Sequence, residues 1–219
     1  MSDVVIFGTN SFAELAHFYF TKDSDHRVVA FTVSRDHLRE TMFDGLPVVP
    51  FEDIERTHPP DHFKMFIAVG ARQINELRAR FFSEAKEKNY ELVTYLSSRC
   101  THWGDTKMGE NCFIFEDNTI QPKVTLGDNV ILWSGNHIGH HSAIGDHTFV
   151  TSHVVVSGHV VIGKKCFIGV NATMKEKISI GDSCFIGPGT LILKSTNDHE
   201  VYLVDRSKAH ALRSDAIGF

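Results

Sequence analysis

Residues 134 to 159, SGNHIGHHSAIGDHTFVTSHVVVSGH, hold six histidines: His137, His140, His141, His147, His153 and His159. Imidazoles at this density suit a metal cluster, a proton-sensitive surface, or a single general base among bystanders. Zinc needs three or four ligands converging at about 2.0 to 2.1 Å. General base catalysis needs less: one imidazole within reach of the proton it removes and one hydrogen-bond donor for the charge that develops. Which chemistry is open depends on the elements that hold these side chains, and the spacing identifies those elements.

Written in sixes from Met108, the chain reads MGENCF, IFEDNT, IQPKVT, LGDNVI, LWSGNH, IGHHSA, IGDHTF, VTSHVV, VSGHVV, IGKKCF, IGVNAT, MKEKIS, IGDSCF, IGPGTL. Every unit begins with an aliphatic residue or methionine. Glycine recurs at the second place, at 109, 127, 139, 145, 163, 169, 181 and 187, where a sharp turn at positive φ is expected. A longer period lies over the six, because LGDN at 126, IGDH at 144, IGKK at 162 and IGDS at 180 each open a group of three units. Three short strands per coil predict a triangular parallel β-helix, with coils rising by about 4.8 Å and residues 18 apart stacked.

This geometry sorts the histidines. His147, His153 and His159 fall six apart, so they point from three different sides and cannot share an ion within one chain. Only His141 and His159 stack, and two imidazoles are too few, so no metal is expected. Cys100, Cys112, Cys166 and Cys184 all take the small fifth place and read as buried filler rather than as nucleophiles or ligands. No GxSxG elbow is present.

The segments NHIGHHSAIGD and VSGHVVIGKKCFIGVNAT resemble the hexapeptide-repeat sugar acetyltransferases, the group that includes the sialic acid O-acetyltransferases and the bacillosamine-pathway N-acetyltransferases. The resemblance spans essentially the whole chain. It implies a left-handed parallel β-helix preceded by a small Rossmann-like domain, a homotrimer with active sites between subunits, acetyl-CoA as co-substrate, and a nucleotide-linked amino sugar as acceptor. It also implies His140 as general base and Gly158, one coil above it, as the glycine whose N–H meets the thioester carbonyl beside CoA. Relatives often carry an acidic residue after the base, whereas this chain has His141; Asp146 or a backbone carbonyl is then expected to orient the imidazole. A second histidine of the family falls on Phe149. Asn136, His137 and His141 are assigned to acceptor contacts, and Lys165 and Lys194 to the CoA phosphates. N-acetylation is favoured over O-acetylation because a neutral amine is the better nucleophile.

The first 95 residues alternate strands and helices, as a small parallel sheet does. DVVIF leads through Gly8 into a helix for which Ser11 and Glu14 form a capping box. Further strands are expected at 28–33, 46–49, 65–69 and 91–96, with a helix over 73–88. Gly8, Thr9, Asn10 and Ser11, at the strand end and helix start, are placed to meet a diphosphate. GTNSFAE lacks the later glycines of GxGxxG, which argues against a nicotinamide cofactor. The β-helix and its tail, from Ser195, fill residues 96–219.

The net charge of −5 offers no basic field for nucleic acid. No apolar run approaches the ~20 residues of a membrane span, and no secretion signal is read at the amino terminus, so a cytoplasmic protein is expected. A β-helix that binds or scaffolds without catalysis is the alternative of another class.

Overall fold

The computed structural model describes residues 2–205 and 207. Its amino-terminal half is built on a five-stranded sheet of β1 (Asp3–Phe7), β2 (Arg27–Val33), β3 (Met42–Phe43), β4 (Leu46–Pro50) and β5 (Phe63–Ile67), in the order β3-β4-β2-β1-β5. All neighbours are parallel except the β3–β4 hairpin. The runs VVIF and MFI are buried almost throughout, as strands covered on both faces must be. On one face lies α1 (Ser11–Lys22), which inserts Phe12, Ala13, Ala16 and Phe20. On the other lie α2 (Ile54–Thr57) and α3 (Glu76–Glu87), with Ile54, Phe81 and Ala85 in the core.

Two boundaries differ from the sequence expectation. The cap of α1 is Asn10, whose side chain accepts from the N–H groups of Phe12 (2.9 Å) and Ala13 (3.2 Å), so Ser11 is the first helical residue. The helix expected from residue 73 begins at Glu76, because Gln73, Ile74 and Asn75 are all left-handed. The final strand of this half, Tyr95–Leu96, pairs with Phe113–Ile114 and already belongs to the β-helix.

From there the chain winds as a three-sided prism of two-residue strands, each parallel to the strand 18 residues away. One face carries Phe113–Ile114, Ile131–Leu132, Phe149–Val150, Phe167–Ile168 and Phe185–Ile186; this is the docked face. A second, the histidine face, carries Thr119–Ile120, His137–Ile138, Val155–Val156, Thr173–Met174 and Leu191–Ile192. The third carries Lys107–Met108, Thr125–Leu126, Ala143–Ile144, Val161–Ile162 and Ser179–Ile180. The tail adds Val201–Tyr202 beside Phe185–Ile186 and so covers the last coil on the docked face; residues 206 and 208–219 lie outside the described residues.

The repeat works differently from the expectation at one point. The second-place glycines do not adopt positive φ. Left-handed geometry falls instead on the fourth place of all fourteen units, from Asn111 (φ 55) through His141, His147, His153 and His159 to Gly189 (φ 70). Asparagine, aspartate and histidine tolerate this region better than most residues, which accounts for four of the histidines. Glycine is needed at the second place for room: a Cβ on Gly145 would lie 2.7 Å from the carbonyl carbon of Gly163, and one on Gly139 2.5 Å from that of Ser157.

First-place side chains fill the prism with Ile, Val, Leu and Met, and Cys112, Cys166 and Cys184 are fully buried beside them, with Cys100 nearly so. Burial pushes the Cys112 and Cys100 thiols up to about 11 and the Cys166 thiol to about 12, so none of these three is a ready nucleophile.

Each corner of the prism is a column of fourth-place residues, and one column docks the amino-terminal half. The Asn111 side chain brackets Ile67, accepting from its N–H at 2.7 Å and donating to its C=O at 3.3 Å. The buried Arg78 of α3 donates to the Asn129 Oδ1 (3.2 Å) and to the His147 carbonyl (2.5 Å). Lys165 donates to both Glu76 oxygens. Apolar packing completes the junction, with Phe12 edge-on against Phe113 and Tyr19 edge-on against Phe115. Each such buried ring contributes roughly 1.5 to 3 kcal/mol.

Candidate active site

His140 and Gly158 share the corner between the histidine face and the third face, the corner opposite the docked face. The backbone bond from His159 N–H to the His140 carbonyl (2.9 Å) fixes the two coils in register. A Cβ on Gly158 would lie 2.8 Å from the His140 Nε2 and 2.9 Å from its Cε1, so the imidazole lies directly against the glycine. His140 is exposed, as a group that must meet a substrate has to be.

The Gly158 N–H is also open. At Glu110, Asp128, Lys164 and Asp182, also third-place residues, the N–H donates to an aspartate from the coil above. Gly158 has no such partner among the described residues. An exposed imidazole and a backbone donor with no partner among the described residues therefore adjoin on one corner.

His141 touches the His140 ring. Its Nδ1 lies 3.1 Å from the His140 Nδ1, a contact that needs one N–H and one lone pair. With the proton on His140 Nδ1, the lone pair of His140 is on Nε2, the atom that faces Gly158. Asp146, one of the expected orienting groups, stands on the docking corner, where it accepts from Lys164 Nζ (2.9 Å) and Asp128 N–H (3.1 Å). It cannot reach His140.

The remaining expected site residues separate. Asn136 is buried at 1% exposure, its Oδ1 accepting from Val154 N–H (2.8 Å) and its Nδ2 donating to the Trp133 carbonyl, so nothing is left for an acceptor. It belongs to an asparagine ladder with Asn118, a structural use of the fifth place. His137 projects from the histidine face between Thr119 and Val155. Lys165 is held by Glu76 on the docking corner, away from His140. Lys194 stays in the column: residues 140, 158, 176 and 194 stack, placing it three coils, about 14 Å, above the base. Exposed Lys175 and Lys177 lie between them on the same corner. His147 is a docking residue, packed on Phe82 and accepting from Asn129 Nδ2; burial lowers its pKa to about 4.

The expected diphosphate contacts line a separate cavity of roughly 590 Å³ in the amino-terminal half. Gly8, Thr9, Asn10 and Ser11 form one wall, and Arg39, Arg72, Arg80 and His37 contribute the others. Gly8 is there for geometry: its φ is +131, and a Cβ would lie 2.8 Å from the Ala68 carbonyl oxygen. The arginines come from three separate segments with no motif among them, and the sequence reading missed them. Because Asn10 caps α1, its side chain is committed to the helix.

The spacing argument against a metal holds for His147, His153 and His159, which stand on three corners. It passed over a different set: His140, His141 and His159 gather on one corner, their ligand atoms all within 4.8 Å of one another.

Residues 105–140 and 159–194 match the family described as bacterial transferase hexapeptide (six repeats). No curated protein matches the sequence. Among solved structures, PerB from Caulobacter crescentus, in complex with CoA and GDP-perosamine, is 21% identical over 92% of this chain and 93% of its own, with a TM-score of 0.82. The acetyltransferase domain of PglB from Neisseria gonorrhoeae is 17% identical over 92% and 96%, with a TM-score of 0.78. WeeI from Acinetobacter baumannii is 19% identical over 92% and 96%, with a TM-score of 0.69. The chain thus has the fold of these structures, a small α/β sheet followed by a left-handed β-helix, and the family match lies within the β-helix.

Proposed function

We propose that this protein transfers the acetyl group of acetyl-CoA to the amino group of a nucleotide-linked sugar. The observation that carries this reading is the His140 imidazole lying against Gly158, whose N–H has no partner among the described residues. The solved relative PerB holds CoA and GDP-perosamine, which supports both the donor and the class of acceptor.

In this mechanism the neutral sugar amine attacks the thioester carbonyl carbon. His140 Nε2 takes a proton from the attacking nitrogen, and the Gly158 N–H donates to the oxyanion. The C–S bond then breaks, and the imidazolium returns its proton to the departing thiolate, so the products are the amide and free CoA. His141 keeps the base in the required tautomer, and Lys175, Lys177 and Lys194 meet the CoA phosphates along the corner. Gly8 to Ser11, with Arg39, Arg72 and Arg80, hold the nucleotide diphosphate.

The arrangement also favours the trimer. No residue of the prism lines the nucleotide cavity, which sits over the docked face, while His140 occupies the opposite corner. One chain therefore presents its sugar to a neighbour's base. Val155 and Val161, exposed on the two faces that flank the Gly158 corner, supply apolar surface for that neighbour.

The test is incubation with acetyl-CoA and, in turn, uridine, thymidine and guanosine diphosphate amino sugars, read by mass spectrometry. One acceptor is expected to gain 42 Da, the general mass of an acetyl replacing a hydrogen, with equimolar CoA. No product with any of them, at saturating donor, refutes the reading.

A further inference from the structure

We propose that the same corner is an inhibitory site for a divalent transition cation of the zinc type, held by His140, His141 and His159. The inhibitory part rests on the reading of His140 as the base; the binding part does not.

The site is built by the fold. His141 and His159 occupy fourth-place positions on successive coils, both left-handed at φ 58, so their rings project from the same corner and stack with centroids 4.8 Å apart at 14°. His140 rises from the preceding residue and meets both rings edge-on at 89°, with centroids 5.3 Å from His141 and 5.0 Å from His159. The ligand atoms lie within 4.8 Å of one another, and the His140 and His141 Nδ1 atoms are 3.1 Å apart. Tetrahedral zinc–imidazole bonds of about 2.0 to 2.1 Å set nitrogens ~3.4 Å apart. One pair is therefore near coordination distance already, and the His159 ring has to turn to bring its nitrogen to the other two, while the backbone stays fixed by the His159–His140 hydrogen bond.

The ligand set chooses the ion. Three neutral imidazoles with an open fourth position suit Zn²⁺, Co²⁺, Ni²⁺ or Cu²⁺. The cluster contains no carboxylate, and its neighbours in the column are Lys123 below His141 and Lys177 above His159, so Ca²⁺ and Mg²⁺, which need anionic oxygen, are excluded. A cation bound at His140 Nδ1 needs the lone pair there and so moves the ring proton to Nε2, leaving the nitrogen that faces Gly158 unable to accept a proton. It also breaks the contact with His141 that orients the ring. Transition metal is thereby a reversible off-switch for acetyl transfer, and His159 is the residue that creates it.

The experiment uses the full chain, ZnCl₂ as ligand in isothermal titration, and CoCl₂ as a spectroscopic probe. Wild type is expected to bind one Zn²⁺ per chain, to give the intense visible bands of tetrahedral Co²⁺, and to lose acetyl transfer on Zn²⁺ addition until a chelator restores it. His159→Asn, whose residue keeps the left-handed turn, is expected to bind Zn²⁺ at least about tenfold more weakly, to lose the Co²⁺ bands, to transfer acetyl at the wild-type rate without metal, and to resist Zn²⁺. Equal Zn²⁺ affinity in wild type and His159→Asn, or no stoichiometric binding in wild type, overturns the site. Binding that depends on His159 in a protein whose metal-free His140→Asn variant is fully active keeps the site and refutes the base, so the two failures are distinguishable.

Discussion

His140 Nε2 stands so close under Gly158 that a single added methyl group on the glycine would lie 2.8 Å from it. The φ of Gly158 is ordinary, so alanine is conformationally acceptable there, and the group it meets is the end of a rotatable ring. Gly158→Ala is therefore expected to leave the melting temperature within a few degrees of wild type while pushing the imidazole aside. Thiol release from acetyl-CoA should fall about 10²-fold, the scale expected for misplacing one catalytic group. A loss of stability as large as the loss of rate would make the glycine structural.

The second-place glycines predict the reverse. A Cβ on Gly145 meets the backbone of Gly163 and Lys164 at 2.7 to 2.8 Å, and backbone within a β-coil cannot rotate away. Gly145→Ala should cost about 1 to 3 kcal/mol in urea denaturation. Lys177→Gly, at an exposed left-handed position, should be close to neutral because it removes a strained φ of 59. If both changes cost the same, the argument that these glycines make room for a neighbouring coil fails.

His147 links pH to stability. Burial lowers its folded pKa to about 4, against an ordinary value near 6.5. Between those values the unfolded chain binds a proton that the folded chain refuses, so this group's contribution is complete above about 6.5 and is lost as pH falls towards 4. His147→Asn, which suits the left-handed turn, should flatten the stability profile across that window in urea titrations at pH 7, 6 and 5. An unchanged slope would place the acid sensitivity elsewhere.

The nucleotide cavity separates binding from chemistry. Arg72 is exposed on its wall and has no ion-pair partner among the described residues. Arg72→Ala should raise the KM for the nucleotide sugar about tenfold, with kcat and the KM for acetyl-CoA within about twofold, because it removes a contact made equally before and during reaction. A fall in kcat alone would move Arg72 out of the binding role.

Much of this was legible in the residues because the β-helix ties position to phase. First-place apolar residues, fifth-place cysteines and the 18-residue stacking of His140 under Gly158 all follow from counting. The place of left-handed geometry does not: glycine at the second place suggests a turn, and only the distance to the coil above reveals that it makes room for that coil. Phase also explains why histidines six or seven residues apart differ in kind. His147 docks the amino-terminal half and His140 faces solvent because they occupy different corners. Asn136 misled because asparagine serves a ladder inside the coil as readily as a ligand outside it. Arg39, Arg72 and Arg80 were invisible because the fold, not the order of residues, brings them to one cavity.

The most direct measurement is the rate of thiol release from acetyl-CoA by His140→Asn, with the accepted nucleotide sugar and without metal, beside the oligomeric mass of the same variant. Asparagine keeps the corner polar and cannot accept the proton. The expected result is an unchanged mass, an unchanged KM for both substrates, and a kcat lower by about 10²- to 10⁴-fold, the range for loss of a general base. Turnover within a few-fold of wild type by an intact variant would contradict the account.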